Sequence, residues 1–132
     1  MKTLIDDDDF TNRLILQAFL QQYGGVHIAV NGVEAVEATH AAIDKNDNYN
    51  LICLDIMMPE MDGHTALTCI RKLEQEHGIL LGSGATVIMT TALSDPGNLI
   101  SALREQCDSN LVKPIDIPKS SEYLIKSETI RL

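Results

Sequence analysis

The sequence predicts a doubly wound α/β domain: a five-stranded parallel sheet with helices on both faces. Two observations carry that reading. Strand-like and helix-like segments alternate five times with short links, the pattern of right-handed βαβ crossovers. Leu51-Ile52-Cys53-Leu54 is apolar without alternation, as a strand covered on both faces must be. The 132 residues, 45% of them apolar, make one domain able to bury its own core. No repeat or linker divides the chain.

Lys2 to Ile5 forms the first strand and feeds into Asp6-Asp7-Asp8-Asp9. Residues 9–22 carry Leu14, Ile15, Ala18 and Phe19 as an amphipathic helical stripe. Asp8 or Asp9 caps that helix, and Gly24-Gly25 ends it. Val26 to Val30 is the second strand, and Asn31-Gly32 turns the chain into a helix over 33–45. Its expected inner face is Val33, Val36, His40 and Ile43. The third strand ends in Asp55, Met57-Met58-Pro59 breaks the pattern, and a helix follows Asp62-Gly63 with Leu67, Ile70 and Leu73 inward. Ala85 to Met89 is the fourth strand, ending in Thr90-Thr91. Ser94-Asp95-Pro96 starts the fourth helix. Residues 109–112 are the fifth strand, closed by Lys113-Pro114, and 118–132 hold a thin last helix and tail.

Acidic residues number 19 against 10 basic ones, a net charge of −9. That field repels a phosphate backbone and an anionic membrane surface, so neither nucleic acid nor membrane is an expected partner. The N-terminal segment has no room for a signal peptide's apolar stretch before the Asp run, and the expected compartment is the cytoplasm. Cys53, Cys69 and Cys107 show no C-x-x-C spacing and read as reduced thiols. His27, His40, His64 and His77 fall on separate elements, so no histidine metal cluster is expected.

The polar residues converge on one edge. The Asp run follows the first strand, Asp55 the third, Thr91 the fourth and Lys113 the fifth. In an open parallel sheet, ligands bind beyond the carboxyl ends of the strands. Carboxylates about 5 Å apart repel by about 3 kcal/mol per pair at an effective dielectric of 20. Gathering Asp7, Asp8 and Asp55 therefore invites a hard divalent cation, Mg²⁺ or nearly as well Mn²⁺. Lys113 offers a point charge and Thr91 a hydrogen-bond donor to anionic oxygens. Together these groups are what phosphoryl transfer to a carboxylate requires.

These residues resemble the receiver domains of two-component response regulators, over residues 2–117. The resemblance rests on Asp7-Asp8 with Arg13 downstream, Asp55-Ile-Met-Met-Pro-Glu-Met-Asp-Gly63, Thr90-Thr91-Ala92 and Lys113-Pro114-Ile115. It implies the flavodoxin-like strand order 2-1-3-4-5. It implies Asp55 as phosphoacceptor for a sensor histidine kinase or phosphotransfer protein. It also implies Mg²⁺ held by Asp8, Asp55 and the Met57 backbone carbonyl, with Asp7 acting through water. Thr91 matches the switch hydroxyl and Lys113 the phosphoryl-pairing lysine. Met57 and Leu93 take the two positions that tune acyl-phosphate lifetime. The implied activity is self-catalysed phosphoryl transfer and slow self-dephosphorylation, with no other turnover. Output runs through contact with an unidentified protein target, whether the chain is whole or a piece of a longer one.

Two departures stand out. The register set by Thr11-Asn12-Arg13 puts Asp7 and Asp8 in the pocket and Asp6 at an apolar strand position, where a charge is costly. Either Asp6 reaches the crevice rim, or a slip of one makes Asp6 and Asp7 the pair; the first register is favoured. Asn110 stands where the family usually has an aromatic. Other functions fit less well. An aspartyl-nucleophile phosphatase or phosphotransferase usually carries a second Asp where Met57 stands. An FMN carrier needs a phosphate loop where four Asp repel phosphate. A degenerate receiver serving as scaffold is disfavoured by the intact acceptor, acids, hydroxyl and lysine.

Overall fold

The computed structural model describes residues 1–58, 60–80, 82–92 and 108–113, with 91, 92 and 109–113 described by backbone alone. Five parallel strands form one sheet: β1 (Thr3–Asp6), β2 (Val26–Ala29), β3 (Leu51–Asp55), β4 (Thr86–Ala92) and β5 (Ser109–Lys113). Their order is β2-β1-β3-β4-β5. β1 leaves toward β2 on one side and β3 on the other, so the strand order reverses there, beside the Asp run. All five residues of β3 are buried, as its unbroken apolar run requires.

Pleating divides the core. Leu4, Ile52, Leu54, Val87 and Met89 face α2 (Gly32–Asp44) and α3 (Gly63–Glu76), packing with Ala35, Ala42, Leu67 and Ile70. Ile5, Leu51, Cys53 and Ile88 face the other way, onto Leu16 and Leu20 of α1 (Phe10–Leu20). Neighbouring residues thus serve opposite layers, as the period of two demands.

Two helical faces differ from expectation. In α1 the buried residues are Leu16 and Leu20, with Phe19 packed beside them, while Leu14 is exposed. The helix is apolar on more than one side, and periodicity alone does not choose between faces. In α2 the buried face is Ala35, Thr39 and Ala42; His40 is exposed. Small side chains let α2 approach the sheet closely, with Val36 packed at the flank. The expectation of dispersed histidines also fails. His40 and His77 come within 6.2 Å, ring centre to ring centre, because the ends of α2 and α3 meet. The fourth helix, the last helix, Leu93 and Cys107 lie outside the described residues.

Gly63 opens α3 where the chain passes closest to the end of β3. Its N–H donates to the Ile56 carbonyl at 2.9 Å. A Cβ there would fall on the Asp55 carbonyl oxygen and within 2.9 Å of the Ile56 Cα. Gly63→Ala is expected to lower stability by about 1–3 kcal/mol, since backbone must move. Chemical denaturation reads this directly; unchanged stability would show that the approach is looser than described.

Candidate functional site

Four consecutive aspartates take four different places. Asp6 ends β1, between Ala29 of β2 and Leu54 of β3. It neither reaches the rim nor joins the cluster described below: it is fully buried, and neither carboxyl oxygen has a hydrogen-bond partner among the described residues. Burial pushes its carboxyl up to about 8, with Asp55, Asp7, Glu34 and Asp8 adding like charge, in that order. Asp7 is buried, and its Oδ1 accepts the Asp9 N–H at 2.8 Å. Asp8 is exposed. Asp9 caps α1, its Oδ1 accepting the N–H groups of Thr11 at 2.8 Å and Asn12 at 3.3 Å.

This cap fixes where the chain turns out of the sheet. Arg13, one helical turn on, donates from Nη1 to the Asp7 carbonyl at 2.8 Å. The turn is thereby held from both sides, and Asp7 and Asp8 are carried over the end of β3.

Asp55 ends β3 and is buried. The Met57 N–H donates to its Oδ1 at 3.2 Å. The backbone beyond it is tied on two sides, by Ile56 N–H to the Thr90 carbonyl at 3.0 Å and by Gly63 N–H to the Ile56 carbonyl at 2.9 Å. Met57 itself is 60% exposed at the mouth. One carboxylate oxygen from each of Asp7, Asp8 and Asp55 lies within 4.8 Å of the others. Three oxygen ligands so close, two on buried residues, fit a hard divalent cation and not a soft one.

The other site residues are placed by backbone. Asp55 pairs with Thr90 across β3 and β4, which puts Thr91 one residue further toward the same edge. Lys113 pairs with Ala92 at the end of β5, and Asn110 pairs with Met89. Sequence reasoning left the choice between Asp8 and Asp9 as the α1 cap open, and it missed the close approach of Gly63 to the end of β3. Asp9 was legible only as one of two caps, and Gly63 only as a helix start. Behind the site, burial pushes the Cys53 thiol up to about 12, Asp7 adding to it, so Cys53 stays protonated and serves the core.

Known proteins share this fold. The family model for the response regulator receiver domain matches residues 3–124. A probable transcriptional regulator, ycf27 of Porphyridium aerugineum, is 36% identical over 127 residues, covering 96% of this chain and 47% of its own length. The chain spans about half or less of such curated relatives, and 10% of the osmosensing histidine protein kinase SLN1 of Saccharomyces cerevisiae. Among solved structures, a chain of the co-crystal of the yeast phosphotransfer protein Ypd1 with the receiver domain of Ssk1 matches at TM-score 0.76 and 29% identity, over 93% of this chain and 85% of that one. A chain of the CheX-CheY-BeF3-Mg complex of Borrelia burgdorferi matches at TM-score 0.74 and 28% identity, over 99% and 90%. The strand order, the acids over the end of β3 and a family match across most of the sequence agree: this chain belongs to the response regulator receiver domain family.

Proposed function

We propose that the chain is a phosphorylation-dependent signalling switch that accepts a phosphoryl group on Asp55 from a phosphohistidine of a sensor histidine kinase or phosphotransfer protein. The observation that carries this reading is the buried Asp55 carboxylate at the end of β3, clustered with Asp7 and Asp8. An Asp55 oxygen attacks phosphorus, the donor's phosphorus–nitrogen bond breaks, and the imidazole leaves with that electron pair. The transferring group's equatorial oxygens need positive partners: Lys113 pairs with one and the Thr91 hydroxyl donates to another. Asp8, Asp55 and the Met57 carbonyl would hold Mg²⁺, or Mn²⁺, with Asp7 reaching it through water. When bound, the cation offsets the crowded negative charge.

By the family resemblance Met57 and Leu93 take the two positions that tune acyl-phosphate lifetime, and apolar side chains there would not position an attacking water. The acyl phosphate is therefore long-lived, and turnover on other substrates is not part of this reading. The switch works by the Thr91 hydroxyl turning to the phosphoryl group, with Asn110 in place of the usual aromatic, and its output is contact with a protein target. Relatives support the partner class: Ypd1 is a phosphotransfer protein crystallised with a receiver domain, and the CheY complex carries BeF3 and Mg. In this reading the 132 residues are a single receiver domain acting in the cytoplasm.

Incubation with acetyl phosphate tests it. The intact mass is expected to rise by one phosphoryl group with Mg²⁺ and not without it; no gain in either condition would overturn the proposal. Mg²⁺ is also expected to stabilise the fold. A ligand at ten times its Kd adds about 1.4 kcal/mol, so thermal melting should shift up by a few degrees at saturating Mg²⁺. Asp8→Ala should lose most of that shift. An unshifted wild type would contradict a cation at these acids.

A further inference from the structure

We propose that His40, Asp44 and His77 form a binding site for a divalent transition cation of the zinc class, joining the C-terminal ends of α2 and α3. His40 and Asp44 stand one turn apart on α2, and His77 caps α3. The Nε2 atom of His40 lies 3.5 Å from Asp44 Oδ2, and that of His77 lies 3.5 Å from Asp44 Oδ1. One ligand atom from each residue lies within 4.8 Å of the others. Tetrahedral zinc with ligands at about 2.0–2.1 Å sets neighbouring ligand atoms about 3.4 Å apart. Both nitrogen–carboxylate distances are close to that spacing, and small side-chain rotations would bring the three ligand atoms onto one ion.

His77 is also in the right tautomer. Its Nδ1 lies 2.8 Å from the Leu73 carbonyl oxygen. That oxygen only accepts, so Nδ1 carries the hydrogen, and in the neutral ring Nε2 presents a bare lone pair to Asp44. A backbone carbonyl holding the far nitrogen is the usual support of a metal-bound histidine. A lone pair facing a carboxylate at this distance needs positive charge between them, either a proton or a metal ion.

The surroundings favour a cation. Two helix C-termini meet here, each presenting the negative end of its dipole. Neither has a basic residue in its last turn, and Lys45 stands only at the α2 cap. Asp44 adds negative charge where the α2 dipole opposes it. Two imidazoles and one carboxylate suit zinc and leave a fourth position open. Mg²⁺ prefers oxygen ligands, so this site differs in chemistry from the Asp7, Asp8 and Asp55 cluster. It also lies about 20 Å away along α3, whose 14 residues separate the two ends. The three residues are exposed, so an ion can enter without opening the fold.

Calorimetric titration of the full chain with Zn²⁺, in buffer holding excess Mg²⁺ to saturate the carboxylate cluster, tests the proposal. One Zn²⁺ per chain with a micromolar Kd is expected. His40→Ala and His77→Ala should each weaken binding at least tenfold, and His40→Gln, which keeps the side chain's bulk, should do the same. His77 holds the Leu73 carbonyl at the α3 cap, whereas His40 makes no such cap contact among the described residues and is exposed, so metal-free melting curves of the two His40 variants should match the wild type. A simple imidazolium–carboxylate ion pair takes up no zinc, so absence of binding at 100 µM Zn²⁺ would overturn the proposal. Binding left intact by the histidine substitutions would also overturn it, placing the ion on thiols or on other carboxylates.

Discussion

Asp55→Asn is expected to yield a folded chain that takes up no phosphoryl group from acetyl phosphate. The substitution keeps the shape of a buried side chain. It also keeps an oxygen able to accept the Met57 N–H, which lies 3.2 Å from Oδ1 in the wild type. What it removes is the anionic oxygen that attacks phosphorus, and an amide does not replace it. The neighbouring acids are poor substitutes. Asp7 is held in place by the Asp9 N–H, and Asp8 faces solvent. Labelling should therefore fall by at least about a hundredfold, the scale on which nucleophile removal acts. Intact mass spectrometry with and without Mg²⁺ reads the result, and circular dichroism checks the fold. Metal-dependent labelling of the Asn variant at the wild-type level would move the acceptor elsewhere.

Asp6→Val is expected to make the metal-free chain more stable, by about 1–3 kcal/mol at neutral pH. Asp6 is fully buried with no hydrogen-bond partner for either oxygen among the described residues. It lies between Ala29 and Leu54, where a β-branched apolar side chain suits the strand. The pH dependence identifies the cause. The folded chain holds this carboxyl's proton up to about 8, whereas the unfolded chain releases it near the ordinary value of 3.8. Between those values the folded state binds more protons, so stability falls as pH rises. The stabilising contribution is complete below 3.8 and is lost as pH passes through about 8. Valine does not titrate, so the gap between variant and wild type should widen from pH 5 to pH 9 in chelator-containing buffer. Asp6→Asn, which keeps the shape, should remove the slope without the full gain. A gap that is flat with pH, or a less stable Val variant, would contradict this reading of Asp6.

The parallel sheet and its acid-lined edge follow from features that a sequence displays directly, whereas the strand order was legible only through the family resemblance. β3 is legible because burial on both faces leaves it unbroken, and Asp55 marks its end because a charge cannot continue that run. Four identical residues in a row hide their own division of labour. Side-chain chemistry cannot tell Asp6 inside the strand from Asp7 against a backbone N–H, Asp8 in solvent or Asp9 on the helix cap; only the backbone path separates them. The inner faces of α1 and α2 were obscured for a related reason. Leu14 and Leu16 are equally apolar, and the close approach of α2 is set by Ala35, Thr39 and Ala42, which carry little hydropathy signal. The meeting of His40 with His77 depends on how α2 and α3 lie side by side, which no local pattern encodes.

The position of the phosphoryl group on the chain is the most direct test of the central claim. Borohydride reduction of the phosphorylated protein converts an aspartyl phosphate to homoserine, and peptide mapping then reads its position. Conversion of Asp55 alone is the expected result. Conversion of Asp7, Asp8 or Asp9 instead, or a phosphoryl mass gain with no homoserine anywhere, would contradict Asp55 as the acceptor.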